Sequence, residues 1–352
     1  MYDVDKEREN METDELLCKL AKLSINYQDK NINKCIEQIL QSNISDSYKN
    51  QIRDAIKPKK PIRIVTDFDE RTESKISMRE LELSCKRIVP IYTITDIRDL
   101  VQFVGYCKYI NADNYNVYMR GQPNLYDGKM IPSLYRGQYN YTTATHNFRN
   151  RLHHIIKDLS ILNKYDKRIV EPMLQHYGVK TTCIDLVDNV WIALWFGLYC
   201  AEGMFAGGRE NIYYSLSKNE FAYIILIATD AINSTEKGVY EGELSRLIDL
   251  RKAVPSYFVR THAQHALMLN RNIVDVNNVT RDDIDLSDLI VGIAEIPVAK
   301  GIEWIGNNKL MSVGTLFPSA YFDYGYRKLL DQYPLRDKAQ AKDWGSIQIV
   351  DD

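Results

Sequence analysis

The sequence predicts an α+β fold: a mixed sheet core flanked by helices, behind a helical N-terminal segment. Three observations carry this. Apolar residues recur at helical spacing through residues 10–57, with no strand pattern between them. Beyond Pro90, short β-branched runs alternate with helical stretches, without the regular βαβ rhythm of a doubly wound sheet. Residues 190–200 are nearly all apolar, so the helix they form belongs at the centre of a core. The organisation that follows is a helical segment and connector at 1–90, an α+β domain at 91–335 and a tail at 336–352.

In chain order, residues 10–57 read as two or three short amphipathic helices. Leu16, Leu20 and Leu23 share a face, as do Ile32, Ile36, Ile39 and Leu40, and then Tyr48, Ile52 and Ile56. Ser45 and Asp46 are cap residues for the third, and Pro58 ends it. Such a segment serves as a helical cap on the main domain or as an arm for a protein partner. The charged stretch 58–90 reads as a connector with one strand. Thr95 caps a helix whose inward face is Ile97, Leu100, Val101 and Val104. A strand at 116–119 runs into Arg120-Gly121-Gln122, and a loop with Pro123, Gly128 and Pro132 follows. Phe148, Leu152, Ile155, Ile156 and Leu159 predict a long helix over 145–163. A turn at Gly178 feeds a strand at 182–186, and Asp188 caps the apolar helix up to Ala201. Further strands are predicted at 212–215, 222–228, 257–259 and 291–296. Leu244, Leu247, Ile248 and Leu250 read as a helix, and two short helices close the chain near 298–305 and 320–332.

Composition narrows the function. The net charge is −2, so bulk attraction to a nucleic-acid backbone has no support, and a nucleic-acid target would need a local basic cleft. The six cysteines form no Cys-x-x-Cys pair, which points to free thiols in a reducing compartment. The N-terminal MYDVDKERENMETDE is charged and lacks an apolar core, so no signal peptide is expected and a cytoplasmic location is. The longest apolar run is far short of the ~20 residues that span a bilayer. Glycine-rich nucleotide loops, zinc-protease and serine-elbow motifs are absent. His153 and His154 would point about 100° apart on a helix, and no metal is expected.

Two clusters carry chemistry. In Tyr118-Met119-Arg120-Gly121-Gln122, strand alternation turns Val117 and Met119 to one side and Tyr118 and Arg120 to the other. Arg120 then ends a strand, and a guanidinium fixed there offers a planar fork to a phosphate or carboxylate. An ion pair with a carboxylate at the core edge fits the same pentapeptide. The second cluster, Gln175-His176-Tyr177 through Thr181, Thr182 and Asp185, gathers polar groups just before the apolar helix. It reads as a pre-organised site at the core rim or as a network that caps the helix. Asp185 is expected to accept backbone N–H groups of that helix. Arg120 is expected to face a concave pocket shared with Tyr177 and Asp185.

The blocks YMRGQ…MIPSLYRG, QHYGVKTTCIDLVDNVWIALWF, RTHAQHA and LMSVGTLFP, in that order over about residues 91–333, resemble the FRG domain. That family is named for its Phe-Arg-Gly motif and is common in bacteria and mobile elements. Met119 stands where the motif has Phe, Lys180 where Pro is common, and Val187 where Thr is frequent. Tyr118-x-Arg120-Gly121 at a strand end, with Thr181-Thr182 before an apolar helix, is in turn similar to Arg-Ser-Glu-type ADP-ribosyltransferases. The resemblance implies an ADP-ribosyltransferase-like fold with NAD as substrate. Arg120 would hold the diphosphate with Arg136 or Arg260 assisting, and Gln122 and His176 would share the NAD site. Tyr177 would stack on nicotinamide, and Thr181 or Thr182 would orient the ribose. The catalytic position falls to Glu243, in Glu241-Gly242-Glu243, or to Gln264, which can bind a ribose hydroxyl but cannot act as a base. The function so implied is an NAD-utilising toxin or effector in bacterial anti-phage defence, a transferase or a glycohydrolase. The alternative is a non-catalytic module that recognises a nucleotide or phage component in the same pocket. A nuclease would need carboxylates clustered for Mg²⁺, and only Asp185 and Asp188 are close in sequence.

Overall fold

The computed structural model describes residues 60–350 apart from 274, 308 and 336, together with residues 41 and 49. The helices expected within 10–57, and the partner arm built on them, lie outside the described residues. The chain divides into two compact units, Met1–Pro61 and Ile62–Asp352. The second is α+β, a large mixed sheet flanked by helices.

Among the described residues, ten strands form this sheet. They are β1 (Ser77–Glu82), β2 (Ile88–Thr93), β3 (Asn116–Gln122), β4 (Ile184–Val187), β7 (Phe221–Thr229), β8 (Asn233–Glu236), β9 (Val239–Glu241), β10 (Ser245–Asp249), β11 (Ala266–Arg271) and β12 (Ile290–Pro297). Their order is β1-β2-β12-β7-β3-β4-β11-β10-β9-β8. Neighbours are antiparallel except β2 and β12. A separate hairpin of β5 (Tyr199–Ala206) and β6 (Arg209–Leu216) is extended in parallel by β13 (Ile349–Val350).

The central strand is the most apolar one. In β7, Ala222, Ile224, Leu226 and Ala228 pack into one core cluster, while Ile225 and Ile227 pack into another on the opposite face. A strand buried on both faces reads as a continuous apolar run, as this one does. The first face is covered by α1 (Ile97–Asn111) and by α4 (Val190–Leu198), whose Trp195 is fully buried. Between them in sequence are α2 (Tyr141–Asp158) and α3 (Lys167–His176). After α4 come α5 (Leu250–Ala253), α6 (Val259–Ala263), α7 (Val298–Trp304), α8 (Val313–Leu316), α9 (Tyr324–Gln332) and α10 (Lys338–Trp344).

Helix α4 lies directly on β3. A Cβ on Gly121 would overlap the carbonyl oxygen of Ala193 and come within 2.8 Å of the Gly197 nitrogen. The glycine after Arg120 is therefore where strand and helix meet backbone to backbone.

Several local expectations are corrected. Residues 244–250 are not a helix. Ser245–Asp249 form strand β10, with Leu247 in one core cluster and Ile248 in another, the alternation of a strand, and Leu250 begins α5. A short apolar run fits either period, and only its sheet partners decide. Residues 257–259 are not a strand: Phe258 is driven into the core at the entry to α6. The predicted 145–163 helix spans Tyr141–Asp158. Asp96 rather than Thr95 caps α1, and Asn189 rather than Asp188 caps α4, accepting from the backbone nitrogens of Trp191 and Ile192 at 2.9 and 3.3 Å. The connector at 58–90 buries Val65 and Phe68 and contributes β1. In the tail, Gln348 N donates to the Tyr177 carbonyl at 2.8 Å, which brings the chain's end back to the Gly178 turn.

Candidate functional site

Strand β3 pairs with β7 along its whole length, and β4 pairs with β11 along its whole length. Between β3 and β4 the only pairing is Met119 with Val187. Beyond that point the two strands part, and the sheet is split near its centre. Arg120 spans the opening. Its Nη1 donates to the Asp185 carbonyl at 2.8 Å, its Nε donates to Gln122 Oε1 at 3.3 Å, and the Asp185 carboxylate lies 3.8 Å away.

The split opens into a cleft of about 430 Å³, with adjoining lobes of about 520 and 330 Å³. All three meet at Arg120 and Arg136. Phe196, Tyr199, Tyr214 and Phe317 give the main lobe an aromatic wall, and Gln122, His176, Asp185 and Gln264 line it as well. Burial pushes the Arg120 pKa down, Asp185 opposes this, and Arg136 adds to it. Arg136 is exposed; its Nε donates to the Ile131 carbonyl at 3.0 Å, and among the described residues no carboxylate pairs with it.

Two polar groups in this cleft lack partners among the described residues. Gln122 is 5% exposed, and its Nε2 makes no hydrogen bond. His176, at the end of α3, has a buried Nε2 without a partner, and burial pushes its pKa down to about 4. An unsatisfied buried group costs about 1–3 kcal/mol.

The segment that carries most of this geometry also has a family match: residues 115–202 match the FRG domain. Residues 115–202 carry an FRG domain. The match runs from β3 to the start of β5 and holds Arg120, Gln122, Arg136, His176 and Asp185. Gln264, Phe317 and Gln348 reach the FRG cleft from outside that segment. No curated protein and no solved structure matches the chain. Among the described residues, no group of three or more His, Cys, Asp or Glu side chains could hold a metal, and no helix is long and apolar enough to cross a membrane.

Around the FRG cleft the expected site residues divide. Arg120, Gln122, Arg136, His176 and Gln264 line it, and Gln264 is held by its Nε2 donating to the Leu316 carbonyl at 2.8 Å. Tyr177 does not. It is fully buried, its hydroxyl donates to Asp323 at 2.8 Å, and its ring stacks on Tyr326 at 5.5 Å. Asp323 is itself fully buried and must collect donors, so it draws Tyr177 and the backbone nitrogens of Arg260 and Tyr326 inward. Arg260 is 1% exposed, with its guanidinium over the rings of Tyr177, Tyr326 and Phe317 at 4.7, 4.5 and 5.3 Å. It stands behind the cleft wall and holds Phe317.

Thr181 and Thr182 are loop-fixing rather than cleft-lining. The Thr181 hydroxyl donates to Gln175 Oε1, and Gln175 Nε2 donates to the Asp185 carboxylate at 2.9 Å. Thr182 donates through its hydroxyl and its nitrogen to Glu171 at 2.5 and 2.8 Å. Glu243 sits exposed in the turn between β9 and β10, where its nitrogen donates to the Asp230 carboxylate at 2.6 Å, and it lines none of the lobes. Asp185 is not a helix cap. Its side chain is half exposed and lines the cleft beside Arg120, because Asn189 already satisfies the helix start. The aromatic wall from Tyr199 and Tyr214 was not foreseen, since it comes from the separate β5–β6 hairpin. Phe317 lies in the LFP block, where its place in the sequence was a usable signal.

Proposed function

We propose that the split-sheet cleft binds a nucleotide-type ligand, with phosphates on Arg120 and Arg136 and a ring against Phe196, Tyr214 and Phe317. One observation carries this reading: three lobes converge on two guanidinium groups, and Arg136 has no carboxylate partner among the described residues. A guanidinium fork matches a phosphate with two parallel hydrogen bonds. The aromatic wall supplies flat apolar area for a base. The volume is that of a small-molecule site. NAD and ADP-ribose are ligands of this class.

Recognition is the reading better supported, because Glu243 stands outside the cleft. A specific observation favours a second reading. Among the described residues, Asp185 is the one carboxylate lining the main lobe, and its side chain is half exposed. NAD cleavage at this site, as a toxin or defence effector would perform it, would place Asp185 against the developing sugar cation.

Calorimetric titration of NAD and ADP-ribose tests the binding. Arg120→Lys keeps the charge but loses the fork, so affinity should fall about tenfold to a hundredfold, the worth of a charge-assisted hydrogen bond at roughly 1.5–3 kcal/mol. Asp185→Asn should tighten binding a few-fold, because it removes a solvent-screened negative charge worth at most about 1 kcal/mol. An Arg120→Lys variant that binds like the parent removes Arg120 from the site and the proposal with it. Nicotinamide release by the parent, lost in Asp185→Asn, would select the catalytic reading.

A further inference from the structure

The main lobe and the second lobe share a wall of four side chains: Arg120, Gln122, Tyr126 and Arg136. Tyr126 is held there by an unfavourable backbone. Tyr126, Asp127 and Gly128 are consecutive left-handed residues, with φ of 49°, 55° and 67°. Glycine adopts this conformation freely and aspartate tolerates it, but tyrosine does not. The turn is imposed from outside. The Gly128 carbonyl accepts from the Ser84 nitrogen at 3.2 Å and the Ser84 hydroxyl at 3.3 Å, and a Cβ on Gly128 would come within 2.9 Å of the Leu83 Cα. Strain kept at a cleft wall is a pointer to function. Tyr126 is 56% exposed, and among the described residues its side chain makes no hydrogen bond and no aromatic contact. One of its faces is therefore available to a ligand ring.

The second lobe, at about 520 Å³, is as roomy as the main one and more cationic. Lys129, paired with Asp127 at 3.2 Å, and Arg281, 3.9 Å from the Asp285 carboxylate, join Arg120 and Arg136 around it, and Asp127 is the single carboxylate among its lining residues. Gln122 Nε2, buried and unpartnered, sits in the wall between the lobes. We infer that the ligand has two arms, each ending in a ring, bridged by phosphates: a dinucleotide. One ring lies against the aromatic wall of the main lobe, the other stacks on Tyr126, and the bridging phosphates sit on Arg120 and Arg136. Lys129 and Arg281 extend the positive track along the second arm. This deepens the nucleotide reading and rests on it.

The test titrates the full chain with ADP, with NAD and with a phosphodiester-linked adenosine dinucleotide. A two-ring ligand should bind about tenfold or more tightly than ADP, and its preferred bridge distinguishes pyrophosphate from phosphodiester sources. Tyr126→Ala should weaken the two-ring ligand about tenfold, as loss of a stacking platform does, and leave ADP unchanged. Tyr126→Phe should keep the affinity. Tyr126→Gly relieves the backbone, so it should keep the parent's melting temperature while losing the same affinity, which a purely structural tyrosine would not do. If ADP binds as tightly as the two-ring ligands, or the Ala and Gly variants bind them like the parent, the inference fails and the nucleotide reading stands. If the parent binds none of the three, both fail.

Discussion

His176 links a local sequence position to a measurable property of the cleft. It closes α3, its ring packs edge-on against Tyr177 at 5.9 Å, and its Nε2 is shut off from solvent. Burial is the largest cause of its lowered pKa, and nearby Arg260 adds to it while Asp185 opposes. The folded value of about 4 lies below the ordinary 6.5, so the unfolded chain binds the proton more readily. This residue's contribution to stability is therefore complete above about pH 6.5 and lost as the pH falls towards about 4, by on the order of 2 kcal/mol for a partly exposed ring. Glu171 works in the opposite sense: burial raises its pKa, so its contribution is lost as the pH rises. Denaturant unfolding across this window, in the parent and in His176→Asn, isolates the histidine. The variant should show the flatter acid limb, and identical limbs would mean that His176 is charged in the folded protein.

At the scale of elements, the cleft exists because β3 and β4 hold together at one residue pair and diverge beyond it. Where they diverge, α4 is seated on Gly121. Gly121→Ala should force the helix away from the strand and cost at least about 3 kcal/mol, the upper end of overpacking penalties. Urea denaturation measures this, and a variant as stable as the parent would show that α4 does not rest on β3 backbone to backbone. Strand β7 and helix α4 were legible because long apolar runs have one buried reading. Strand β10 was not, because five residues fit two periods until β9 and β11 lie beside them.

At the scale of the molecule, the matched FRG segment is not a structural unit. Within residues 115–202, β3 and β4 share one pairing, while their full-length partners β7 and β11 lie later in the chain. Trp195 packs on Tyr214 and Phe317, which also lie outside. Expressed alone, 115–202 should lack a sheet and show no cooperative unfolding, because the burial that offsets chain entropy is missing. Circular dichroism through a urea titration checks this, and a sharp sigmoidal transition from the fragment would count against it.

By itself the sequence determined what local chemistry can determine: the α+β class, the buried α4 and β7, and the Arg-Gly step. It also singled out Arg120, Gln122, Arg136, His176 and Gln264, all of which line the cleft. Tertiary structure alone decided that Tyr177 and Arg260 turn inward, because the buried carboxylate that draws them is Asp323, 146 residues from Tyr177. It alone decided that Glu243 stays outside the cleft, because the turn that carries it is tied through its backbone nitrogen to Asp230 after β7. It also decided that Asp185 faces the cleft, since Asn189 had taken the helix cap. The physical reason is common to all three. A polar residue's type states that it needs a partner, and only the folded chain says whether that partner is a buried carboxylate, a backbone nitrogen or a ligand.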